Sequence, residues 1–370
     1  MSGLAADRPG GEELKSWRQR LLDNWREGEA PFYYLKPFGW LYGLGAGLRR
    51  ACLPKILPGV KIDAPVISFG NLTVGGSGKT PMVLTLSRML MEEGFKPAVL
   101  SRGYGRTSVL PSSLVVSQGL GPIVNVEESG DEPWMMASEL PGLRVVVDAD
   151  RVQGARTALD LGADVIILDD GYQQLRLAVD CRVLLIPAHK PFGNRAVMPA
   201  GPLRERISAH RFADVVITTG ALEPTDQARE MAGDRPLFAA DYKPLGWRAL
   251  RDPYRKPLEF MAGRKVMAFC GLGRPGGFWR TLAKLDLGVC RFLSFDDHQI
   301  YDRPTLNEIG FNLMDSGAEV LVTTAKDAVK LPPDFPLPLM YLQMRMELDK
   351  PEDFLQAALS KLRAESKAAG

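Results

Sequence analysis

One short run, Gly75-Gly76-Ser77-Gly78-Lys79-Thr80, constrains this chain more than any other stretch. It is reached from an apolar run, Val66–Phe69, through Gly70-Asn71-Leu72-Thr73-Val74, and it opens a helical pattern near Pro81. Strand, glycine loop and helix start together make a phosphate cradle. Glycines let backbone N–H groups close on phosphate oxygens with no Cβ in the way. In such a loop Lys79 reaches the β- and γ-phosphates of ATP, and Thr80 helps to hold Mg²⁺. The expected nucleotide-binding residues are therefore Thr73, Val74, Gly75, Gly76, Ser77, Gly78, Lys79 and Thr80. Pro81 suits the first helical turn, where its missing N–H costs nothing. The match is not strict, because the general pattern asks for Gly at the position of Thr73. The plainer alternative is a glycine turn with a lysine nearby.

A phosphate loop of this kind works with an acidic strand end beside it. Val165–Leu168 runs straight into Asp169-Asp170-Gly171. Two adjacent carboxylates repel unless a cation lies between them, so Thr80, Asp169 and Asp170 are the expected Mg²⁺ residues. An ordinary Asp-Gly turn is the simpler reading. Short apolar runs recur at Ala98–Ser101, Arg144–Val147, Arg182–Ile186 and Val215–Thr218, with helical patterns such as Met82–Glu93 and Val152–Leu161 between them. Buried strands joined by helices predict a mainly parallel sheet covered on both faces. A second series follows at Val266–Cys270, Val289–Leu293 and Val320–Thr323, and Pro351–Ala364 reads as a final amphipathic helix. Between the series, residues 221–262 carry Pro224, Pro236, Pro244, Pro253 and Pro257 and read as a connector or small irregular subdomain. The expected divisions are 1–62, an extension with an interfacial helix; 63–220, the nucleotide-binding domain; 221–262, the connector; and 263–370, a second α/β domain.

Residues 31–62 have a different chemistry. Phe32, Tyr33, Tyr34, Phe38, Trp40 and Tyr42 crowd together, and Leu41, Leu44 and Leu48 follow at helical spacing. The charges in this stretch are Lys36, Arg49, Arg50, Lys55 and Lys61, with no acid. Aromatic rings with Lys and Arg suit a membrane interface, and the uncharged window Pro37–Leu48 is too short to span a bilayer. A helix packed on the protein's own core is the alternative. Lys plus Arg number 46 against 44 Asp plus Glu in 370 residues, so net charge +2 argues against a general nucleic-acid binder. Cys52, Cys181, Cys270 and Cys290 show no zinc spacing and read as reduced thiols. The first thirty residues are polar, so no secretory signal peptide is expected. No obligate protein partner is evident.

Several motifs together resemble the tetraacyldisaccharide 4′-kinases of lipid A synthesis. The loop Gly70–Pro81 resembles that family's nucleotide loop, including the non-glycine residue at Thr73. Similar in order and spacing are Ser101-Arg102-Gly103-Tyr104-Gly105-Arg106, Gly130-Asp131-Glu132-Pro133, Asp169-Asp170-Gly171-Tyr172-Gln173, Pro199–Glu205, Asp297-His298 and Thr323–Leu331. The family often has Asp-His-His where this chain has Gln299 after His298, and Glu where it has Ala325 before Lys326. The resemblance implies two three-layer α/β/α domains around a hinge, with the site in the cleft between them. It implies transfer of the ATP γ-phosphate to the 4′-hydroxyl of an acylated disaccharide 1-phosphate. It also places the enzyme on the cytoplasmic face of the inner membrane, peripheral or monotopic through residues 31–50.

Catalysis needs a group to take the hydroxyl proton near the γ-phosphate without being consumed by the metal. Asp131 is the remaining loop carboxylate, and His298 would approach it from the second domain. The expected catalytic set is Asp131, His298 and Lys79. Asp131 as a simple cap of the helix Pro133–Glu139 is the alternative. Arg102, Arg106, Arg204 and Arg206 are candidates for binding triphosphate or the substrate's 1-phosphate. Two other classes are weaker. Gly271-Leu272-Gly273-Arg274-Pro275-Gly276 fits a dinucleotide fingerprint after a strand, though Pro275 intrudes at the turn. A P-loop ATPase switch or assembly factor at the membrane shares the glycine loop, but Val74 stands where a deviant switch ATPase has Lys, and no Asn-Lys-x-Asp signature appears.

Overall fold

The structure is a computed structural model and describes Trp25 and residues 33–103, 113–250, 252, 254–332 and 334–366. The polar extension, Phe32, Tyr104 and Arg106 lie outside the described residues.

Among the described residues twelve strands form one sheet in the order β10-β9-β11-β12-β8-β7-β6-β1-β5-β2-β4-β3. In chain order they are β1 Val66–Gly70, β2 Pro97–Ser101, β3 Leu114–Gln118, β4 Arg144–Val147, β5 Val165–Leu168, β6 Cys181–Pro187, β7 Val215–Thr219, β8 Leu237–Ala249, β9 Lys265–Cys270, β10 Gly288–Ser294, β11 Val320–Thr324 and β12 Leu339–Leu348. β1 lies between β5 and β6, parallel to both. Every residue of β1, β2 and β5 is buried, as strands covered on both faces must be. The antiparallel pairs are β3 with β4 and β8 with β12. The α/β class and the mainly parallel sheet are as expected.

The two strand–helix series are joined edge to edge into this single sheet, and the joint is the segment expected to be irregular. β8 has 13 residues; Leu237–Ala240 pair with β7, and Ala240–Ala249 with β12. Pro244, which argued against a strand, sits at the register shift opposite Gln343 and Met344. A bulge is where a strand tolerates a residue without a donor.

Helices cover both faces. On one face of the first half, Met82, Leu86 and Leu90 of the helix Lys79–Glu92 and Met136 pack in the same core as Phe354, Leu355 and Ala358 of the final helix Pro351–Ser366. On the other, Val152, Ala155 and Ala158 cover β2 and β5. In the second half Phe278 and Leu282 lie in one cluster, and Ile309 and Leu313 in another.

Candidate active site

The glycine loop leaves β1 and enters the helix Lys79–Glu92. Gly75 and Gly78 have φ of 100° and 79°, left-handed values that a side chain resists. Gly78 is the N-cap and no side chain caps the helix, so its first N–H groups face the loop. Thr73 is buried and bridged to Leu203, with its hydroxyl 3.4 Å from Asn71 Nδ2. The Val74 N–H donates to the Pro202 carbonyl at 2.8 Å, so it is engaged inside the protein. Val74 still lines the cleft, but its N–H is taken. Lys79 Nζ donates to Asn71 Oδ1 at 3.1 Å and lies 3.3 Å from Asp170 Oδ1.

The acidic strand end of β5 lies beside this loop. Thr80 Oγ1 donates to Asp169 Oδ2 at 3.2 Å, while Asp169 Oδ1 and Ser77 Oγ are buried without a hydrogen-bond partner. Burial, with help from Glu132 and Asp170, pushes the Asp169 carboxyl up to about 7 against the opposing pull of Lys79 and Thr80. Asp170 behaves differently. Burial would raise it, but Lys79 and Arg204 together hold it below the usual carboxylate range. Arg204 Nη1 donates to both of its oxygens, at 2.9 and 2.8 Å. The cations on Asp170 in this structure are thus Lys79 and Arg204. Asp170 is also held at φ 53°.

Asp131 and His298 come together from the two halves. His298 Nδ1 lies 3.1 Å from Asp131 Oδ2. Asp131 Oδ1 accepts from the Glu132 N–H at 3.0 Å, so one oxygen holds the helix start and the other faces the imidazole. The helix spans Asp131–Glu139, which places Glu132 in helical rather than extended backbone and Pro133 in the first turn. Burial would raise the Asp131 carboxyl, but His298, Lys326 and Lys330 outweigh it and hold it low. The hydrogen bond to Asp131 raises the His298 pKa, with burial and Lys326 opposing. His298 sits at φ 62°, a left-handed value rare outside glycine.

Lys326, absent from the expected catalytic set, is the hub of this cluster. Its Nζ lies 3.2 Å from Glu132 Oε1, 3.2 Å from Asp297 Oδ1, 3.4 Å from His298 Nε2 and 3.9 Å from Asp131 Oδ2. An ammonium only donates, so a neutral His298 facing it accepts at Nε2 and carries its proton on Nδ1, toward Asp131. Asp297 approaches the ring at 3.9 Å and is hydrogen-bonded to Lys326. The sequence signal was Lys326's place in a nine-residue family-like motif. Gln299 turns away, donating to the Ile300 carbonyl and Thr305.

Lys79, Thr80, Glu132, Asp170, His298 and Lys326 line one cleft of about 1320 Å³. Leu272, Gly273 and Arg274 line it too. A Cβ on Gly273 would stand 3.0 Å from Asp297 Oδ2 and 3.8 Å from the Gly76 nitrogen. The second glycine loop is therefore packed over the first. Tyr42, Ala46 and Arg49 of the helix Lys36–Ile56 reach the same cleft. That helix buries Gly39 and Gly43, and a Cβ on Gly39 would stand 2.6 Å from the Val197 carbonyl. Phe38, Trp40, Leu41, Leu44 and Leu48 are exposed, Phe38 and Trp40 each 61%.

Comparison with known proteins now bears on the cleft. The profile of the family described as Tetraacyldisaccharide-1-P 4′-kinase (LpxK) matches residues 32–363. The chain belongs to this family. It is 36% identical over 357 residues to the tetraacyldisaccharide 4′-kinase of Syntrophus aciditrophicus, covering 91% of this chain and 95% of that one. It is 42% identical over 299 residues to that of Pelobacter propionicus, covering 80% and 82%. The crystal structure of LpxK from Aquifex aeolicus in complex with ATP superposes with a TM-score of 0.73 at 33% identity, covering 89% of this chain and 98% of that chain. As a member of the LpxK family the chain is a kinase, which sets aside the dinucleotide and switch-ATPase readings. The dinucleotide-like run is accounted for by the close approach of Gly273 to Gly76 and Asp297.

Proposed function

We propose that the cleft takes ATP on the Gly75–Thr80 part of the loop and a tetraacylated disaccharide 1-phosphate beside the apolar helix, and moves the γ-phosphoryl group to the 4′-hydroxyl. Asp131 accepts the hydroxyl proton as the oxygen bonds to the γ-phosphorus. The bond from that phosphorus to the ADP oxygen breaks, and ADP leaves. Lys79 meets the charge that develops on the transferred group. His298 aligns the Asp131 carboxylate and shares its proton. Lys326 fixes the ring and ties Glu132 to Asp297 across the cleft.

Mg²⁺ fits the acidic strand end, because Asp169 Oδ1 is a buried oxygen without a partner and Thr80 Oγ1 stands beside the same carboxylate. When bound, the ion neutralises phosphate charge. Thr80 and Asp169 would hold it, with Asp170 adjacent and engaged by Lys79 and Arg204. Among the described residues no group of three or more His, Cys, Asp and Glu gathers as a metal cluster, so phosphate oxygens would complete its shell.

We place the enzyme on the cytoplasmic face of the inner membrane, peripheral or monotopic through residues 31–50. The exposed rings and leucines of the helix Lys36–Ile56 support this. No described helix is long and apolar enough to cross a membrane. We read 63–220 and 263–370 as two bodies about the segment 221–262, and the Asp131–His298 contact as the mark of their closed arrangement.

One observation carries this reading: Lys79 and Thr80 from one half and His298 from the other line a single cleft in a chain of this family. The test is purified protein with MgATP and a tetraacylated disaccharide 1-phosphate, the product weighed by mass spectrometry. A product heavier by one phosphate, lost when EDTA removes the metal, is expected. An unchanged lipid mass overturns the reading.

A further inference from the structure

The helix Lys36–Ile56 is joined to the phosphate site through one side chain. Gly39, Gly43 and Arg50 are its buried residues. Arg50 Nη2 donates to the Tyr172 carbonyl at 2.6 Å and to Glu205 Oε1 at 3.0 Å, and Nε lies 2.9 Å from Glu205 Oε2. Its guanidinium stacks 4.9 Å from the Tyr172 ring and 4.9 Å from the Phe212 ring. Two acceptors on Nη2, the ion pair with Glu205 and two ring faces fix one orientation, which a lysine cannot reproduce.

Both groups that Arg50 grips lead to Lys79. Glu205 follows Arg204, which holds both oxygens of Asp170, and Asp170 Oδ1 is 3.3 Å from Lys79 Nζ. Tyr172 precedes Gln173, whose Nε2 donates to the Asn71 carbonyl at 2.9 Å, and Asn71 Oδ1 accepts from Lys79 at 3.1 Å. Tyr172 itself cannot drift, because its hydroxyl donates to the Ala209 carbonyl at 2.7 Å and a Cβ on Gly70 would overlap it.

We propose that Arg50 is a positioning residue for phosphoryl transfer: it couples the apolar helix to the Asp170–Lys79 pair through Glu205–Arg204 and through Tyr172–Gln173–Asn71. The helix is then part of the catalytic apparatus as well as the lipid contact. The inference rests on the reading of this cleft as the phosphotransfer site and of this helix as its lipid-facing wall.

The test uses the full chain in a lipid-kinase assay, in detergent micelles and in phosphatidylglycerol-containing vesicles, with vesicle co-sedimentation alongside. Arg50→Met should lower kcat about thirtyfold in both media and leave both KM values and vesicle binding within about threefold. Arg50→Lys should recover only part of that loss, since it keeps the charge and loses the planar guanidinium. Glu205→Gln should lower kcat about tenfold, and the double variant should lose no more than about Arg50→Met alone, because the residues act as one unit. A kcat within about threefold of wild type in Arg50→Met, with weakened vesicle binding, would reduce Arg50 to an anchor and overturn the inference. Losses that multiply in the double variant overturn it as well. If Arg50→Met is not folded by near-ultraviolet circular dichroism, Arg50→Lys and Glu205→Gln decide: lowered kcat at constant KM supports the coupling, and unchanged kcat removes it. Failure of the underlying reading shows elsewhere, as a wild type that makes no phosphorylated lipid or a Phe38→Ser/Trp40→Ser variant that binds vesicles as the wild type does.

Discussion

The chain carries two glycine loops after buried strands, and they do different work. After β1, Gly75–Gly78 leads into a helix that begins with Lys79 and Thr80, beside the acidic end of β5. After β9, Gly271–Gly276 leads into a helix that begins at Pro275. Both loops have a helix start that no side chain caps. The first adds a cation, a hydroxyl and a neighbouring carboxylate with an unpartnered oxygen. The second has Arg274 at its helix start and Asp297 beside it but no hydroxyl matching Thr80, and its glycine at 273 makes room for Asp297 and for the first loop. Glycine thus serves ligand access in one loop and close approach of two parts of the protein in the other. A glycine spacing alone does not distinguish them; the residues at the helix start and on the adjacent strand do.

The comparison breaks most easily at the first loop. Lys79→Ala and Thr80→Ala should each lower kcat by about 10³-fold or more, since both act on charge and metal at the transferring group. Near-normal turnover in either would make the two loops equivalent. Next come the residues that face each other between the loops. Asp131→Asn and His298→Ala should each lower kcat by about 10²-fold with ATP affinity nearly intact. Their double variant should fall well short of the product of the two losses; full multiplication shows that they do not act as a pair. The second loop should be sensitive to bulk at one position only. Gly273→Val should cost about tenfold in kcat by pushing Asp297 and the first loop apart, whereas Gly276→Ala, with only Arg280 nearby at 3.9 Å, should stay within about twofold. Equal effects would mean that approach of the loops is not what Gly273 serves.

The smallest effect concerns pH. Lys326 is one of the groups holding the Asp131 carboxyl low. A base with a depressed pKa stays ionised as pH falls, so the acid limb of the kcat profile lies below the ordinary aspartate range. Lys326→Met removes a positive charge, lets the Asp131 pKa rise, and should move that limb to higher pH. Steady-state rates across the acid range check it; an unmoved limb separates Lys326 from the base.

Buried parallel strands were legible as short apolar runs. Val165–Leu168 and Arg144–Val147 are read with their observed bounds, because such strands are continuous apolar runs. β3 and β8, which pair antiparallel with β4 and β12, were not. β3 is half exposed and carries Ser117 and Gln118, and β8 holds Asp241, Lys243 and Pro244 near its bulge. Their pairing is decided by partners far along the chain, which local pattern does not encode. The site divides in the same way. The loop from Gly75 to Thr80 is a local motif, and its context could be read directly. Asp131 and His298 come from separate elements, and the need for a base together with the family-like motifs paired them; Lys326 lay in such a motif but was not placed with them. The engagement of Val74 N–H by Pro202 and of Asp170 by Arg204 had no local signal at all.

The final helix, Pro351–Ser366, buries Phe354, Leu355, Ala358 and Leu359 in the core that also holds Ile67 and Met82 beside the phosphate loop. The earliest strand of the sheet and the last of its helices therefore share one interior. Domains commonly settle in order as they leave the ribosome, at about 5–20 residues per second. Here that order is interrupted, because the half that holds the first glycine loop cannot close over Phe354 until the final described helix has been made. A message cut short near residue 262 would yield strands β1 to β8 with an open apolar face, a product for chaperones and proteases rather than a smaller working enzyme.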